Sequence, residues 1–587
     1  MAESRVKKDI ARANDAERRK SPWNPYYQAL AEAFLRRKAD FTHNAAPGDF
    51  LGQDEVFDNT GQFAAHLYAS VCLSHLWPDA ARTFNLVPVE QLRDYPGVEE
   101  YFRAMTRVTH TYMDRPAAGL LNAFAEYFLD NGIFGIAGVG TFDGPVDNAD
   151  LPLAYEAWDI KGMCVSENAQ GYVDTIYNWP RMTVRQVVEK YGSGQLPGDK
   201  ISAAVKKQYE EKKYDDFVKV LVIIEPKKAE KGKRGYAAMK MRVAHIDVDN
   251  MVTMREEGQM EQSVHVGRQF KRTGEAQGRS SGMIALADAV TLDGLGESII
   301  VATEKQLDPP LALLNDGRLG GSVVDTSAGA LSVIDASGRL GNDKPIFPLF
   351  TVGEMTSTEK LIERTEGKMM QAFFLDRLLD LNNKTMMTAY ETSIRNRLRG
   401  EGAGSMFSRQ ISEVITPTIH TSVSRLRRKG YYGMYPDTDP RGPGAEQRAK
   451  WRELTGKDEM QVPDIVLKAA AAGLPIYEIE YISPAQRFME AEKLNGAFTA
   501  ADALVALEPV MPGISDNVDK DDYARRIWKF AGAPRESLRT KDALGAYRAE
   551  QAKQQKAVQA LEAGQALADI QAKSAQARVT LGTKSGG

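Results

Sequence analysis

Apolar positions in the first 130 residues recur at helical spacing. The opening stretch MAESRVKKDIARANDAERRK reads as a charged helix, and Leu30 and Phe34 lie four apart after Pro25, ahead of the Arg36–Arg37–Lys38 cluster. A second helix is expected from about Asn59 to Leu76. A third runs from about Val98 to Leu129, carrying Tyr101, Met105, Val108, Tyr112 and Leu120 on its period, with Asn131–Gly132 as its C-cap. The pattern then changes. Residues 133–182 favour strands: Ile133–Phe142 is apolar and glycine-rich, and Met163–Ser166 and Tyr172–Asn178 flank a turn-prone Glu167–Gly171 as a hairpin. Thr183 and Gln186 form a capping-box pair that opens a short helix ending at Gly192. Two more strands follow, Val218–Glu225 and Tyr236–Asp247, joined by the lysine-rich Pro226–Gly235, which reads as a solvated loop.

The middle of the chain is the most informative part. A helical segment over 281–307 is broken by Asp308–Pro309–Pro310. About 45 residues dominated by Gly, Pro, Asp and Ser follow, with β-prone pieces at Ser322–Asp325 and Ala330–Ile334. Such long excursions are usually functional. A second helix is expected from about Ser357 to Leu381, with Leu361, Ile362, Met369, Ala372, Phe373 and Leu379 on one face. Beyond Met386–Arg399 and the Gly400–Gly404 loop, a helix over Met406–Lys429 should be kinked or interrupted at Pro417. Residues 431–460 read as loop and turn, Tyr477–Tyr481 as a strand and 483–548 as short helices. Asp542–Gln576 is an Ala/Gln-rich helix-prone tail before a terminus expected to be disordered.

Composition narrows the class. The 587 residues are 43% hydrophobic and 26% charged, as in folded globular proteins. A net charge of −4 means that any DNA contact is local or weak. Cys72 and Cys164 are too few for a disulfide framework and read as reduced core thiols. No apolar run is long enough for a membrane span, and the N-terminus lacks a secretory h-region.

No catalytic pattern emerges. The seven histidines (His43, His66, His75, His110, His245, His265 and His420) form no H-E-x-x-H pair, and there is no nucleophile elbow. Gly194–Lys200 has the wrong spacing for a phosphate-binding loop, and Gly135–Gly140 better fits a closely packed strand. The acidic pairs Asp215–Asp216 and Asp521–Asp522 read as solvated helix ends. One charge feature stands apart: residues 390–430 hold eight Lys or Arg against three Glu, an excess of five positive charges in an acidic chain. Arg395, Arg397 and Arg399 directly precede the GEGAGS loop. A basic loop facing phosphate would bind non-specifically and in a salt-dependent way, whereas a solvated helix terminus would give the same charges.

The order of these segments resembles the portal, or head–tail connector, proteins of short-tailed (podovirus-type) phages. The stretches that carry the resemblance are FDNTGQFAAHLYASVCLSHLWP (57–78), AYEAWDI through NAQGYVDTIYNWPRMTVRQVVEKYG (154–192), GRSSGMIALADAVTLDGLGESIIVATEKQLDPPL (278–311), MTAYETSIRNRLRG with the helix to Arg428, and YEIEYISPAQRFMEAEKLNGAF (477–498). Each is degenerate alone; the ordered set is specific. The resemblance implies an α+β portal fold in a ring-forming homo-oligomer. Residues 1–278 and 383–482 would form the wing, 279–308 and 356–382 two stem helices, 309–355 the clip, 483–548 the crown and 549–587 a helical tail able to form a barrel. The tunnel loop would lie near 396–408, with Arg395, Arg397, Arg399 and Arg409 facing DNA, and Arg318, Asp325, Arg339 and Lys344 would be the clip's contact candidates. Twelve copies is the family's usual number. The implied partners are further copies of itself, double-stranded DNA held non-specifically, the terminase large subunit, a tail adaptor, and scaffold and major capsid proteins. The implied place is the virion's head–tail vertex, after assembly in the host cytoplasm. No cofactor, metal or catalytic residue is expected. The alternatives are a metal-dependent nuclease or hydrolase using scattered Asp and Glu residues, and a non-portal adaptor ring.

Overall fold

The computed structural model describes residues 2–43, 56–78, 82–145, 148–192, 199–228, 235–315, 324–335, 346–378, 406–456, 460–482, 484–530, 538–539, 543–556, 570 and 573, less 352, 354, 508, 510 and 512. Helices and sheets both contribute, an α+β chain, and two compact units form. One comprises 1–83, 109–426 and 483–489; the other comprises 84–108, 427–482 and 490–587.

The first unit is built around the strand Phe217–Pro226, whose run Val220–Ile224 is buried throughout, as a central strand covered on both faces should be. It lies within an antiparallel sheet with Met163–Glu167, Val173–Asn178, Met241–Asp247 and Val252–Gln259, while Arg181–Thr183 pairs with its first residues. The N-terminal helix Ala2–Lys20 closes one face, packing Val6, Ala13 and Ala16 on Cys164, Tyr177, Leu221, Ile223, Ala244 and Ile246. Charged groups pin it near its middle and at its C-terminal end. The buried Arg242 guanidinium reaches Asp9 at 2.7 Å, Glu225 at 2.7 Å and Glu256 at 3.1 Å. Lys20, buried without a carboxylate at hydrogen-bond distance, donates to the carbonyls of Lys161 (2.9 Å), Met163 (3.0 Å) and Ile160, and desolvation lowers its pKa.

A second antiparallel sheet, ordered Val264–Arg268, Ile136–Asp143, Leu153–Trp158, continues from the helix Leu120–Phe134. Around it, Tyr27, Phe41 and Phe134 form one aromatic cluster, and Phe34 and Tyr68 both pack on Phe373. Cys72 and Cys164 are buried and free. In the second unit Phe84–Pro88 pairs antiparallel with Tyr477–Tyr481, nearly four hundred residues away, and Tyr101 Oη donates to the Tyr432 carbonyl at 2.9 Å.

Several expected elements appear closely. The helix read from Asn59 to Leu76 spans Thr60–Leu76, and that over 281–307 spans Ser281–Leu307. The capping box is reciprocal, Thr183 N donating to Gln186 Oε1 at 2.9 Å and Gln186 N to Thr183 Oγ1 at 3.4 Å.

Others need correction. The helix read through Val98–Leu129 is two, Val98–Met113 and Leu120–Phe134, because Pro116 starts a 3-10 turn that ends on left-handed Gly119. It is capped by Gly135 (φ 83°), not at Asn131–Gly132; Gly132 lies inside the helix, where the absence of a Cβ makes room for the Tyr68 ring, which a Cβ would meet at 2.6 Å. The segment 431–460 contains the helix Pro443–Thr455, with Pro at its first position and left-handed Gly456 after its last. Of Tyr236–Asp247 only Met241–Asp247 is strand. The helix read as Ser357–Leu381 runs Thr356–Ala372 and breaks at Phe374, which adopts φ 59°. The expected short helices after 483 begin with a 24-residue one, Pro484–Leu507. Pro417 does interrupt its helix: residues 411–415 form a π turn between helical 406–410 and Thr416–Arg428.

Candidate functional site

The helix Ser281–Leu307 starts where Ser280 Oγ accepts the Met283 amide at 2.9 Å. It stops at Asp308, ahead of Pro309 and Pro310, and packs against Thr356–Ala372. Between the two helices lies a three-stranded sheet. Leu311–Asn315 is its centre, with Leu331–Asp335 parallel on one side and Ile346–Pro348 antiparallel on the other. The β-prone segment read at Ser322–Asp325 is not one of these strands: Val324 and Asp325 are outside regular structure, and 322–323 are outside the described residues. The entry is tight. Gly329 (φ 71°) donates to the Asp308 carbonyl, and a Cβ on it would meet Asp308 Oδ2 at 2.3 Å.

This small sheet has almost no interior. Among the described side chains of its strands only Ala312 and Ser332 are buried, while Leu331 is 55% exposed and Ile346 is also exposed, as are Val324 and Phe350 beside the strands. The long helix likewise leaves Ile284, Val290, Ile300 and Leu307 in the open. Exposed apolar side chains thus recur along this helix and on the sheet beyond it.

Of the clip candidates, Asp325 lies in this excursion, and Arg318, Arg339 and Lys344 lie outside the described residues. The Asp325 carboxylate accepts the Ser327 amide at 2.9 Å and the Ser327 hydroxyl, which hold it below the usual carboxylate range. Arg395, Arg397 and Arg399 are also outside the described residues. Arg409 is on the helical turn that follows them, its guanidinium 3.2 Å from Glu413. Two further cations of the basic stretch are engaged with acids outside it: the buried Arg425 meets Asp143 at 2.7 Å, and Arg427 meets Asp437 at 2.7 Å. Part of the local charge excess is therefore compensated by folding.

Reading the sequence missed a group of buried polar residues beside this stretch. Arg268, 1% exposed, forms ion pairs with Glu413 (3.0 Å) and Glu167. Gln410 donates to Asn131 Oδ1 and to the Arg268 carbonyl, both at 3.1 Å. The only local hint is that polar residues interrupt apolar faces, as at VHVGRQF (264–270).

Two buried histidines make structural hydrogen bonds. His245 Nδ1 is 3.0 Å from the Tyr191 hydroxyl, and His265 Nε2 is 2.9 Å from Thr421 Oγ1. Burial pushes both down to about 3. The acidic pair Asp521–Asp522 is tied to Arg548 and Arg526. Among the described residues no three His, Cys, Asp or Glu converge as metal ligands, and no helix is long and apolar enough to cross a membrane.

The family model for the bacteriophage head to tail connecting protein matches residues 7–441. The chain belongs to this family. The match takes in the helix pair, its strand excursion and the basic stretch. The chain is 22% identical over 569 residues to the probable portal protein of Bordetella phage BPP-1, covering 95% of this chain and 93% of that one. It is also 22% identical over 580 residues to the portal protein of Salmonella phage epsilon15, covering 97% and 95%. A chain from the virion of a native gene transfer agent particle aligns over 71% of this chain and 90% of its own length, at 12% identity and a TM-score of 0.29. The family's role is structural: this is a component of the phage particle at the head–tail junction.

Proposed function

We propose that this chain is a portal subunit that closes into a twelve-membered ring around a DNA channel at one capsid vertex. The observation that carries the reading is the pair of packed helices, Ser281–Leu307 and Thr356–Ala372, bracketing a sheet with no core of its own. In a ring each copy meets the next through a heterologous contact whose rotation closes, and such contacts would bury the apolar side chains that one copy leaves exposed.

On this reading the two helices are the stem, 309–355 the clip, 1–278 and 383–482 the wing, 483–548 the crown and 549–587 a tail extending from it. Arg395, Arg397, Arg399 and Arg409 face the DNA and restrain it through screened phosphate contacts. The clip, with Arg318, Asp325, Arg339 and Lys344, docks the terminase large subunit during filling and a tail adaptor afterwards, and the wing meets scaffold and major capsid proteins. The motor supplies ATP hydrolysis, so the subunit needs no catalytic group.

Gold-labelled antibody against the chain tests the placement on intact particles. The reading expects label at a single vertex of each head; label distributed over all vertices, or none on the particle, overturns it.

A further inference from the structure

The long helix and the helix that follows the basic stretch are joined by one continuous chain of buried hydrogen bonds. Its centre is Gln269, 1% exposed. Gln269 Oε1 accepts the Ser281 amide at 2.7 Å, and its Nε2 donates to Ser281 Oγ and Tyr68 Oη, each at 2.9 Å. Gln269 thus satisfies a first-turn N–H of the long helix that has no intrahelical acceptor. Met406, where the described chain resumes after the basic segment, is held to the same spot: its sulfur is 3.3 Å from Tyr68 Oη and 3.6 Å from Gln269 Nε2.

The neighbouring residue completes the link. The backbone of Arg268 is gripped on both sides from the helix that begins at Met406: its amide donates to Glu413 Oε2 at 2.9 Å, and its carbonyl accepts from Gln410 Nε2 at 3.1 Å. Gln410, 2% exposed, makes its other hydrogen bonds to Asn131 and Tyr127. It therefore has no hydrogen bond to the long helix, yet lies one peptide from the residue that caps it.

We infer that Gln269 and Gln410 are positioning residues that fix the return of the arginine-bearing segment and the start of the long helix to one strand end, so that a displacement of either is felt by the other. The inference rests on the proposed function only for its consequence, that a push on the DNA-facing segment reaches the stem. A buried network with every member satisfied transmits strain because its alternatives each strand a polar group.

Amide hydrogen exchange on the full-length chain, read by mass spectrometry over 281–285 and 406–413, tests the link. Gln269→Leu should speed exchange at the first amides of the long helix by about tenfold, the scale of one lost buried hydrogen bond, and Gln269→Glu, which retains an acceptor for Ser281, should restore slow exchange. The deciding variant is Gln410→Leu, with Glu413→Gln as the milder substitute if it does not fold. Either should speed exchange at 281–285 as well as at 406–413. The control is Ile223→Val in the other sheet, with exchange compared at equal distance below each variant's Tm; it should leave both segments slow. Faster exchange confined to 406–413 overturns the inference. DNA retention by particles carrying Arg395→Gln, Arg397→Gln and Arg399→Gln is a separate readout: if it is unchanged, the DNA-facing reading fails while the link stands.

Discussion

Replacing Arg268 with Met keeps most of the side chain's volume and removes its charge, leaving Glu413 and Glu167 behind. Glu413 is 7% exposed and Glu167 is 18% exposed. Breaking a buried ion pair from one side costs about 3–5 kcal/mol, most of it the uncompensated charge. Two neighbours soften the loss, since Arg409 is 3.2 Å from Glu413 and Lys271 is 2.7 Å from Glu167. The expected cost of Arg268→Met is therefore at the low end, about 3 kcal/mol. Glu413→Gln leaves the guanidinium with Glu167 and should cost about 2 kcal/mol. In the double variant the Glu413 charge is no longer orphaned, so its cost should fall short of the sum by about 1–2 kcal/mol. Urea unfolding of the four forms at neutral pH, read at the transition of the unit that contains Arg268, measures the cycle. A cost below about 1 kcal/mol for Arg268→Met, or strict additivity in the double variant, would refute the claim that this cluster is held by compensated buried charge.

Three further outcomes follow from the same geometry. His245 and His265 are held near a pKa of about 3 against 6.5 in the unfolded chain. Below pH 6.5 the unfolded state therefore binds protons that the folded state does not, and stability falls with pH. The loss is about 3 kcal/mol per histidine at pH 4.5, and His265→Asn should flatten the slope between pH 6 and 4 by about one proton. Gly135→Ala forces a left-handed Cβ to within 2.6 Å of the Arg279 backbone; a loss of about 3 kcal/mol or more in urea unfolding is expected, and less than about 1 kcal/mol would mean that the turn relaxes. Leu331→Asp with Ile346→Asp places charges on exposed positions of the uncored sheet. The isolated subunit's stability should stay within about 0.5 kcal/mol, whereas ring formation should be lost; rings that form normally would remove this sheet from the subunit contact.

Much of the central architecture was legible because its signals are local. The helix Ser281–Leu307 has a serine cap and a Pro–Pro stop, and the Thr183/Gln186 box closes within one turn. Apolar periodicity alone carried the reading too far at Pro116, where the missing N–H outweighs a pattern that resumes in phase nearby. The helix Pro443–Thr455 was hidden because its exposed surface, including Trp451 and Leu454, gives no amphipathic stripe. What no local pattern can show is long-range polar pairing. Gln410 meets the Arg268 carbonyl 142 residues away, and Arg425 meets Asp143 282 residues away. A run of basic residues looks alike whether its partners are phosphates or distant carboxylates, so the charge excess at 390–430 identified a region of interest without separating its paired arginines from the rest.

The most direct test of the portal reading is the particle that the purified chain forms, imaged by negative-stain electron microscopy with its mass measured alongside. The account predicts a closed ring with a central channel and a mass near twelve subunits of 64.8 kDa. A chain that stays monomeric at high concentration and in the presence of scaffold protein would contradict it.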